Sequence, residues 1–132
     1  MNFEDIRLHL AARHQLKKNE PYVLSFDVAL GQGRAQSLFL VDLETEEGPR
    51  VLRVSTPVAP LTKLPAVKCL RFNWHQRLGY LAVDDLDGEP YVHLCENRSY
   101  SVLGMRELDH IVRELAAWAD RLESLVTGGD RT

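Results

Sequence analysis

The C-terminal segment, residues 105–126, carries more apolar residues than a helix with one narrow buried face requires. One seam repeats at steps of three and four, as on one side of an α-helix: Met105, Leu108, Val112, Leu115, Ala119, Leu122 and Val126. A second column recurs every seven residues beside it and comprises Ile111, Trp118 and Leu125. A stripe this broad must be buried against a sheet, against a partner, or against both.

The length and charge of the chain place it among ordinary globular proteins. With 132 residues, 45% of them hydrophobic, it can bury a genuine core, and we predict a single domain at 1–127 with a flexible tail at 128–132. The formal net charge is -3, and neither half is strongly basic, so no nucleic-acid partner is expected. The N-terminus lacks the pattern of a signal peptide, and no stretch has the roughly 20 apolar residues of a membrane span. These features predict a cytoplasmic protein with no membrane partner.

Residues that could support chemistry do not form a recognisable constellation. Cys69 and Cys95 are interpreted as buried structural thiols, and the five histidines lack the spacing of a metal site. The glycines at 31 and 33 favour a hairpin turn over a phosphate loop, because a strand rather than a helix follows them. The acidic run at 84–88 resembles half of a calcium loop, but its twelfth position is Leu94. We therefore predict no catalytic residue, no cofactor and no metal, and hence no enzyme.

Apolar periodicity and turn residues predict the order of elements. A first helix is expected at 3–17, followed by strands at 22–30, 35–43 and 50–56. Between Pro65 and Gln76 the pattern fits a helix or a strand, and a short helix is favoured. Two further strands at 80–84 and 91–95 flank an Asp87-Gly88 turn, and the last helix ends at Gly128-Gly129. The predicted fold is α+β, an antiparallel five-stranded sheet packed by helices in the order α-β-β-β-α-β-β-α.

This layout resembles the type III secretion chaperone-like superfamily, either its YbjN-like proteins or its Tir chaperone (CesT) class. The resemblance rests on the run at 70–74 with Asn73, its continuation into 79–84, the Asp87-Gly88 hairpin and the helical run at 115–122 with Trp118. It implies a bacterial homodimer without enzyme activity. Its partner would be another protein, either a secreted effector held over apolar patches and sheet edges or a regulatory protein. The prolines at 57, 60 and 65 depart from the clean second helix of that pattern.

The leading hypothesis is a homodimeric protein-binding module, a regulator, adaptor or chaperone. Its candidate partner or dimer surface comprises Ile111, Trp118, Leu125 and Trp74. Trp residues are enriched at binding hot spots, but Trp74 fits a core position more readily, and Trp118 fits either role.

Two alternatives stay open. One is a small-ligand sensor or enzyme with a pocket between helix and sheet, lined by Tyr80, Tyr91, His93 and Arg71. The other is a structural subunit whose last helix docks permanently into a larger assembly.

Overall fold

The computed structural model describes residues 1–128, which contain three α-helices and six β-strands. In chain order these are α1 (Phe3–Ala11), β1 (Lys18–Glu20), β2 (Val23–Gly31), β3 (Arg34–Leu43), β4 (Val51–Pro60), α2 (Ala66–His75), β5 (Tyr80–Leu86), β6 (Glu89–Ser99) and α3 (Met105–Glu123). A 3₁₀ turn, Leu61–Lys63, precedes α2, and a π-helical turn, Ser124–Gly128, extends α3. The predicted α+β class is therefore confirmed. No helix in the described part of the chain is long and apolar enough to cross a membrane.

All six strands form one antiparallel sheet in the order β1-β2-β3-β4-β6-β5. Side chains alternate between its two faces, as the strand period of two requires. One face carries the buried apolar side chains of β2, β3, β4 and β6: Leu24, Phe26, Leu38, Leu40, Leu52, Val54, Val92 and Leu94. Most of the alternate positions are partly buried or exposed, although Ser25 and Cys95 are buried. The sheet thus has one covered face and one open face.

Helix α3 covers the buried face of the sheet. Five members of its predicted seam are buried, namely Leu108, Val112, Leu115, Ala119 and Leu122. Ile111, from the second column, is also buried, so the surplus apolar surface of α3 is largely used within the chain. Helix α1 adds Phe3, Ile6 and Leu10 to the same core, and His9 Nε2 lies 2.8 Å from Asp109 Oδ1 of α3.

The sheet has six strands, so the prediction of five was wrong. The additional strand, β1, consists of exposed Lys18, Asn19 and Glu20, which carry no apolar alternation. It forms by backbone pairing along β2, with Lys18 opposite Ser25. The first helix was predicted at 3–17, but α1 ends at Ala11. After Leu10, the next helical positions toward the core are Arg13, His14 and Lys17, which offer little apolar surface to bury.

Strand β4 continues through Pro57 to Pro60, although the prolines predicted an end near Thr56. Pairing between β3 and β4 stops at Phe39 and Ser55, so Pro57 pairs with β6 on one side only. A proline can stand in such a strand because no ladder hydrogen bond is lost on the unpaired side. Gln36 replaces the missing ladder, since its Nε2 donates to Thr56 Oγ1 and to the Pro57 carbonyl, each at 2.8 Å.

The remaining elements follow the predictions more closely. The ambiguous segment between Pro65 and Gln76 is the helix α2, as favoured. The turn between β5 and β6 places Asp87 and Gly88 at positive φ, 53° and 80°, which is the geometry expected of that dipeptide. The strands themselves are longer than the predicted 80–84 and 91–95. The expected tail at 128–132 lies, apart from Gly128, outside the described residues.

Candidate functional site

Helix α2 is held in place by one of its sides. Asn73 lies beside the edge strand β5, where its Oδ1 accepts from Leu81 N at 2.7 Å and its Nδ2 donates to Leu81 O at 3.1 Å. The ring of Phe72 packs edge-on against Trp118 of α3, with centroids 6.1 Å apart. Cys69 is buried on the same side of the helix. These three contacts fix the orientation of α2 relative to the sheet.

The opposite side of α2 presents large apolar side chains to solvent. Val67, Leu70 and Trp74 are 58%, 68% and 84% exposed, and their spacing of three and four places them on one helical face. We call these three residues the α2 stripe. Single exposed apolar residues are common, but three on one short helix form a contiguous patch of the kind found at interaction sites.

The chain around the α2 stripe is basic and contains no acidic residue. Residues 48–83 include six basic residues, Arg50, Arg53, Lys63, Lys68, Arg71 and Arg77, and neither Asp nor Glu. Lys63, Lys68, Arg71 and Arg77 are exposed on or beside α2. Acidic residues cluster immediately before residue 48 and after residue 83, so the net charge of each half of the chain does not reveal this basic segment. Along the chain, the charged residues nearest to the stripe are therefore all basic.

The structure separates the four predicted partner residues. Trp74 is the most exposed large apolar side chain described, so its interpretation as a core residue was wrong. Leu125 is 69% exposed in the π-helical turn. Trp118 is partly buried between Phe72 and Arg121, whose guanidinium carbon lies 4.5 Å from the Trp118 ring centroid. Ile111 is 1% exposed and belongs to the core, so it is not available to a partner.

A second surface feature is a groove of about 570 Å³ on the open face of the sheet. We call it the sheet groove, and its central positions come from four adjacent strands: Phe39 and Val41 of β3, Arg53 and Ser55 of β4, His93 and Cys95 of β6, and Tyr80 and Ala82 of β5. Asp84 and Asp85 also line it. The pocket predicted for a small ligand was expected between helix and sheet, whereas this groove faces away from the helices.

The residues proposed to line that pocket are only partly brought together. Tyr80 and His93 line the sheet groove. The ring centroid of Tyr91 lies 6.0 Å from that of His93, on the same strand face. Arg71 is on α2 instead. The cationic residue at the groove is Arg53, which sequence reasoning missed, although the alternation of Leu52 and Val54 with Arg53 and Ser55 carried the signal.

Arg53 is a partly buried arginine that lines the sheet groove together with Asp84 and Asp85. Its Nε is buried and has no hydrogen-bond partner within the described residues. Burial raises the pKa of Tyr80 and of Cys95, and the positive charge of Arg53 opposes both shifts; Arg53 also forms a side-chain hydrogen bond with Tyr80. The carboxylates of the neighbouring strands point to the other face and pair elsewhere, Asp42 with Arg50 and Glu96 with Arg98.

The two thiols are buried, as predicted. Burial raises the pKa of Cys95 to about 11, and the nearby Arg53 charge only partly opposes this effect. Burial also raises the pKa of Cys69. A thiol that is neutral near pH 7 is a poor nucleophile and metal ligand. Among residues 1–128, no group of three His, Cys, Asp or Glu side chains is arranged to hold a metal ion.

Comparison with known proteins adds no family to these observations. No family model matches the chain, and no curated protein matches its sequence. The resemblance to the type III secretion chaperone-like superfamily therefore remains a prediction. The α2 stripe and the sheet groove are the two surfaces from which a function can be argued.

Proposed function

We propose that the protein is a non-enzymatic protein-binding module, an adaptor or chaperone of the kind that the resemblance implies, which docks a partner protein on the α2 stripe. The observation that carries this proposal is the exposure of Trp74, Leu70 and Val67 on one face of α2. Tryptophan is enriched among residues that dominate binding energy, because it buries a large rigid surface at little entropic cost.

The α2 stripe is not required to hold α2 in the fold. Asn73, Phe72 and Cys69 attach the helix through its other side. Exposing three large apolar side chains to water is unfavourable by roughly 25 cal/mol for each Å² of apolar surface. A partner that covers the stripe recovers this free energy on binding.

The mode of docking is constrained by the neighbouring sheet edge. A partner strand could otherwise extend the sheet at β5, but Asn73 occupies both backbone groups of Leu81. These two hydrogen bonds prevent another strand from pairing with β5 at Leu81, and protection of edge strands is common in proteins. Docking on the side chains of the stripe, in the manner of an amphipathic helix against an apolar face, suits the surface better than strand addition there.

The charge around the stripe specifies the chemistry of the partner. Lys68 and Arg71 flank the stripe on α2, and Lys63 and Arg77 lie just beyond its ends. A partner segment with apolar residues at helical spacing and acidic residues beside them complements both features. Such charges increase association rate and specificity more than they increase affinity.

The homodimer implied by the resemblance is a separate proposal. Two α2 stripes facing each other would bring Lys68 and Arg71 of both copies together without a nearby carboxylate on the helix. Like charges in one interface are unfavourable, so a homodimer would use another surface, and Leu125 is the exposed candidate from the second column. Sedimentation at micromolar concentration tests self-association, and a single monomeric species would remove the dimer.

Affinity capture from the host organism, compared across variants, tests the docking proposal. Leu70→Ser with Trp74→Ser removes the apolar surface of the stripe while leaving its anchoring residues unchanged. Leu8→Ser is the matched control, because Leu8 is 71% exposed on α1. We expect proteins that bind the wild type and the Leu8 variant but not the double variant. Capture of the same proteins by all three chains would overturn the proposal.

A further inference from the structure

We propose that the sheet groove is a binding site for an organic carboxylate with an apolar body, whose carboxyl group is bound by Arg53. This site is independent of the α2 stripe and adds a second, small-ligand function. The ligand is a free organic acid or the C-terminal carboxylate of a peptide, because both present the same group to the guanidinium.

Arg53 has a side-chain donor that no group in the described residues satisfies. Its Nε is buried without a hydrogen-bond partner within residues 1–128. A guanidinium has four N–H donors besides Nε–H. A carboxylate in the groove accepts hydrogen bonds from those donors and neutralises the charge of Arg53.

The groove around Arg53 combines hydroxyl groups with apolar surface. Tyr80 lies beside the guanidinium and donates to Asn97 Oδ1 at 3.0 Å, so the position of its hydroxyl is already fixed. Ser55, the next residue of β4 on the same face, places a second hydroxyl in the groove. Phe39 and Val41 of the adjacent strand supply apolar surface for the rest of a ligand. A few polar groups within a largely apolar concavity are typical of small-molecule sites.

The charge balance favours a monoanion over a phosphate ester. Arg53 supplies one positive charge, while the carboxylates of Asp84 and Asp85 also line the groove. A dianion would be repelled by these carboxylates and lacks a second cation. Cys95 adds no charge, since its thiol is neutral near pH 7. A single carboxylate pairs with the one guanidinium and is repelled less by Asp84 and Asp85 than a dianion would be.

The volume of the groove sets the size of the ligand. About 570 Å³ lies within the range of small-molecule sites, so the groove accommodates a medium-chain or aromatic acid or the last residues of a peptide. Its open shape also permits a peptide chain to leave the groove at one end.

Titration by protein NMR with 3-phenylpropanoate is the direct experiment. The acid should shift the amide resonances of Arg53, Tyr80 and Cys95 in a saturable manner, while 3-phenylpropanamide and inorganic phosphate should not. A dipeptide ending in leucine, with a free or an amidated carboxyl group, distinguishes the two sources of the carboxylate. Preference for the peptide acid assigns a C-terminus as ligand, and preference for the free acid assigns a small metabolite.

Variants identify the responsible residue. Arg53→Met should weaken binding of the preferred acid by about tenfold or more, because it removes a charged bidentate partner. Tyr80→Phe should weaken it several-fold, because it removes the hydroxyl that positions the Arg53 guanidinium through their hydrogen bond. Arg106→Met is the matched control, since Arg106 is exposed on α3 and carries the same charge. It should bind as the wild type does.

Two results would overturn the proposal. One is the absence of saturable shifts in the groove with either acid at millimolar concentration. The other is equal binding of the acid and its amide to the wild-type protein, a comparison that holds even if Arg53→Met does not fold.

Discussion

Asn73 shows how one side chain can place a whole helix. Its amide forms two hydrogen bonds with Leu81, copying the pattern that a neighbouring strand would offer. The residue thereby attaches α2 to β5 and closes the sheet edge. The sequence drew attention to Asn73 only through a family resemblance, because nothing in periodicity shows that an amide will pair with a backbone eight residues away.

Replacing Asn73 by Asp should destabilise the fold. The carboxylate keeps the acceptor for Leu81 N but loses the donor and faces the Leu81 carbonyl. We expect a decrease of about 1–3 kcal/mol in the free energy of unfolding, measured by urea denaturation. Gln15→Glu, an exposed amide-to-acid change, is the control and should be nearly neutral. Equal stability of both variants would show that the Asn73 bonds are not significant.

Cys95 should react slowly with alkylating reagents. With a pKa of about 11, only about one thiol in a thousand is ionised near pH 8, and the thiolate is the reactive form. In a Cys69→Ser background, the rate with iodoacetamide should be more than about tenfold lower than in the urea-unfolded chain and should still rise above pH 9. A rate that levels off near the pKa of an ordinary thiol, about 8.5, would contradict this.

The same pKa predicts a loss of stability at alkaline pH. The folded-state pKa of Cys95 lies above that of the unfolded chain, so the unfolded chain releases its proton first. The contribution of the neutral thiol is fully present below the unfolded pKa and is lost as the pH rises toward about 11. Burial raises the pKa of Tyr100 also, which acts in the same direction.

At the scale of elements, α3 explains both the success and the failure of sequence reasoning. The column of Ile111, Trp118 and Leu125 was predicted to face a partner, because the seam alone was expected to cover the sheet. In the structure, Ile111 enters the core, Trp118 packs against Phe72 and only Leu125 is exposed. The column passes from core to surface, because a spacing of seven residues drifts by about 20° per repeat on a straight helix and Leu125 lies beyond α3, in the π-helical turn.

This difference within one column can be measured directly. Ile111→Ala should cost about 2–5 kcal/mol of stability, because it leaves a cavity in the core. Leu125→Ala should change stability by less than about 0.5 kcal/mol, since that side chain is exposed. Thermal or urea unfolding of the two variants gives the comparison. Similar losses for both would mean that Leu125 is packed in the folded protein.

Strands with one buried face were predictable from their apolar alternation, whereas a strand without a buried face was missed. Strands β2 and β3 alternate clearly, and their positions were predicted within a few residues. Strand β1 has three exposed polar residues, and its existence depends on backbone pairing with β2. The extension of β4 across Pro57 depends on Gln36, a tertiary contact 21 residues away. Local patterns carry neither kind of information.

At the scale of the whole molecule, the two proposed sites lie on different surfaces. The α2 stripe faces solvent beside the β5 edge, whereas the sheet groove opens on the face of the sheet that no helix covers. Both sites draw on the acid-free segment at 48–83, which includes Arg53 and the basic residues around α2. We expect the basic residues around α2 to favour an acidic partner, and Asp84 and Asp85 to restrict the groove to a ligand with a single negative charge.

The two sites should act independently. Leu70→Ser with Trp74→Ser should leave carboxylate binding in the groove unchanged, and Arg53→Met should leave partner binding unchanged, because the sites share no contact residues. Binding constants of both ligands for all three chains test this. A change of more than a few-fold in either cross-comparison would indicate that the sites are coupled.

The proposed role of the α2 stripe is to dock a protein segment with acidic and apolar residues. Selection of random peptides against the wild-type protein, followed by affinity measurement on the selected peptides, tests it even while the natural partner is unidentified. We predict acidic sequences with apolar residues at helical spacing, whose affinity falls at least about tenfold on Trp74→Ser and is unchanged on Leu8→Ser. Selected peptides that bind the Trp74 variant as tightly as the wild type would contradict the claim.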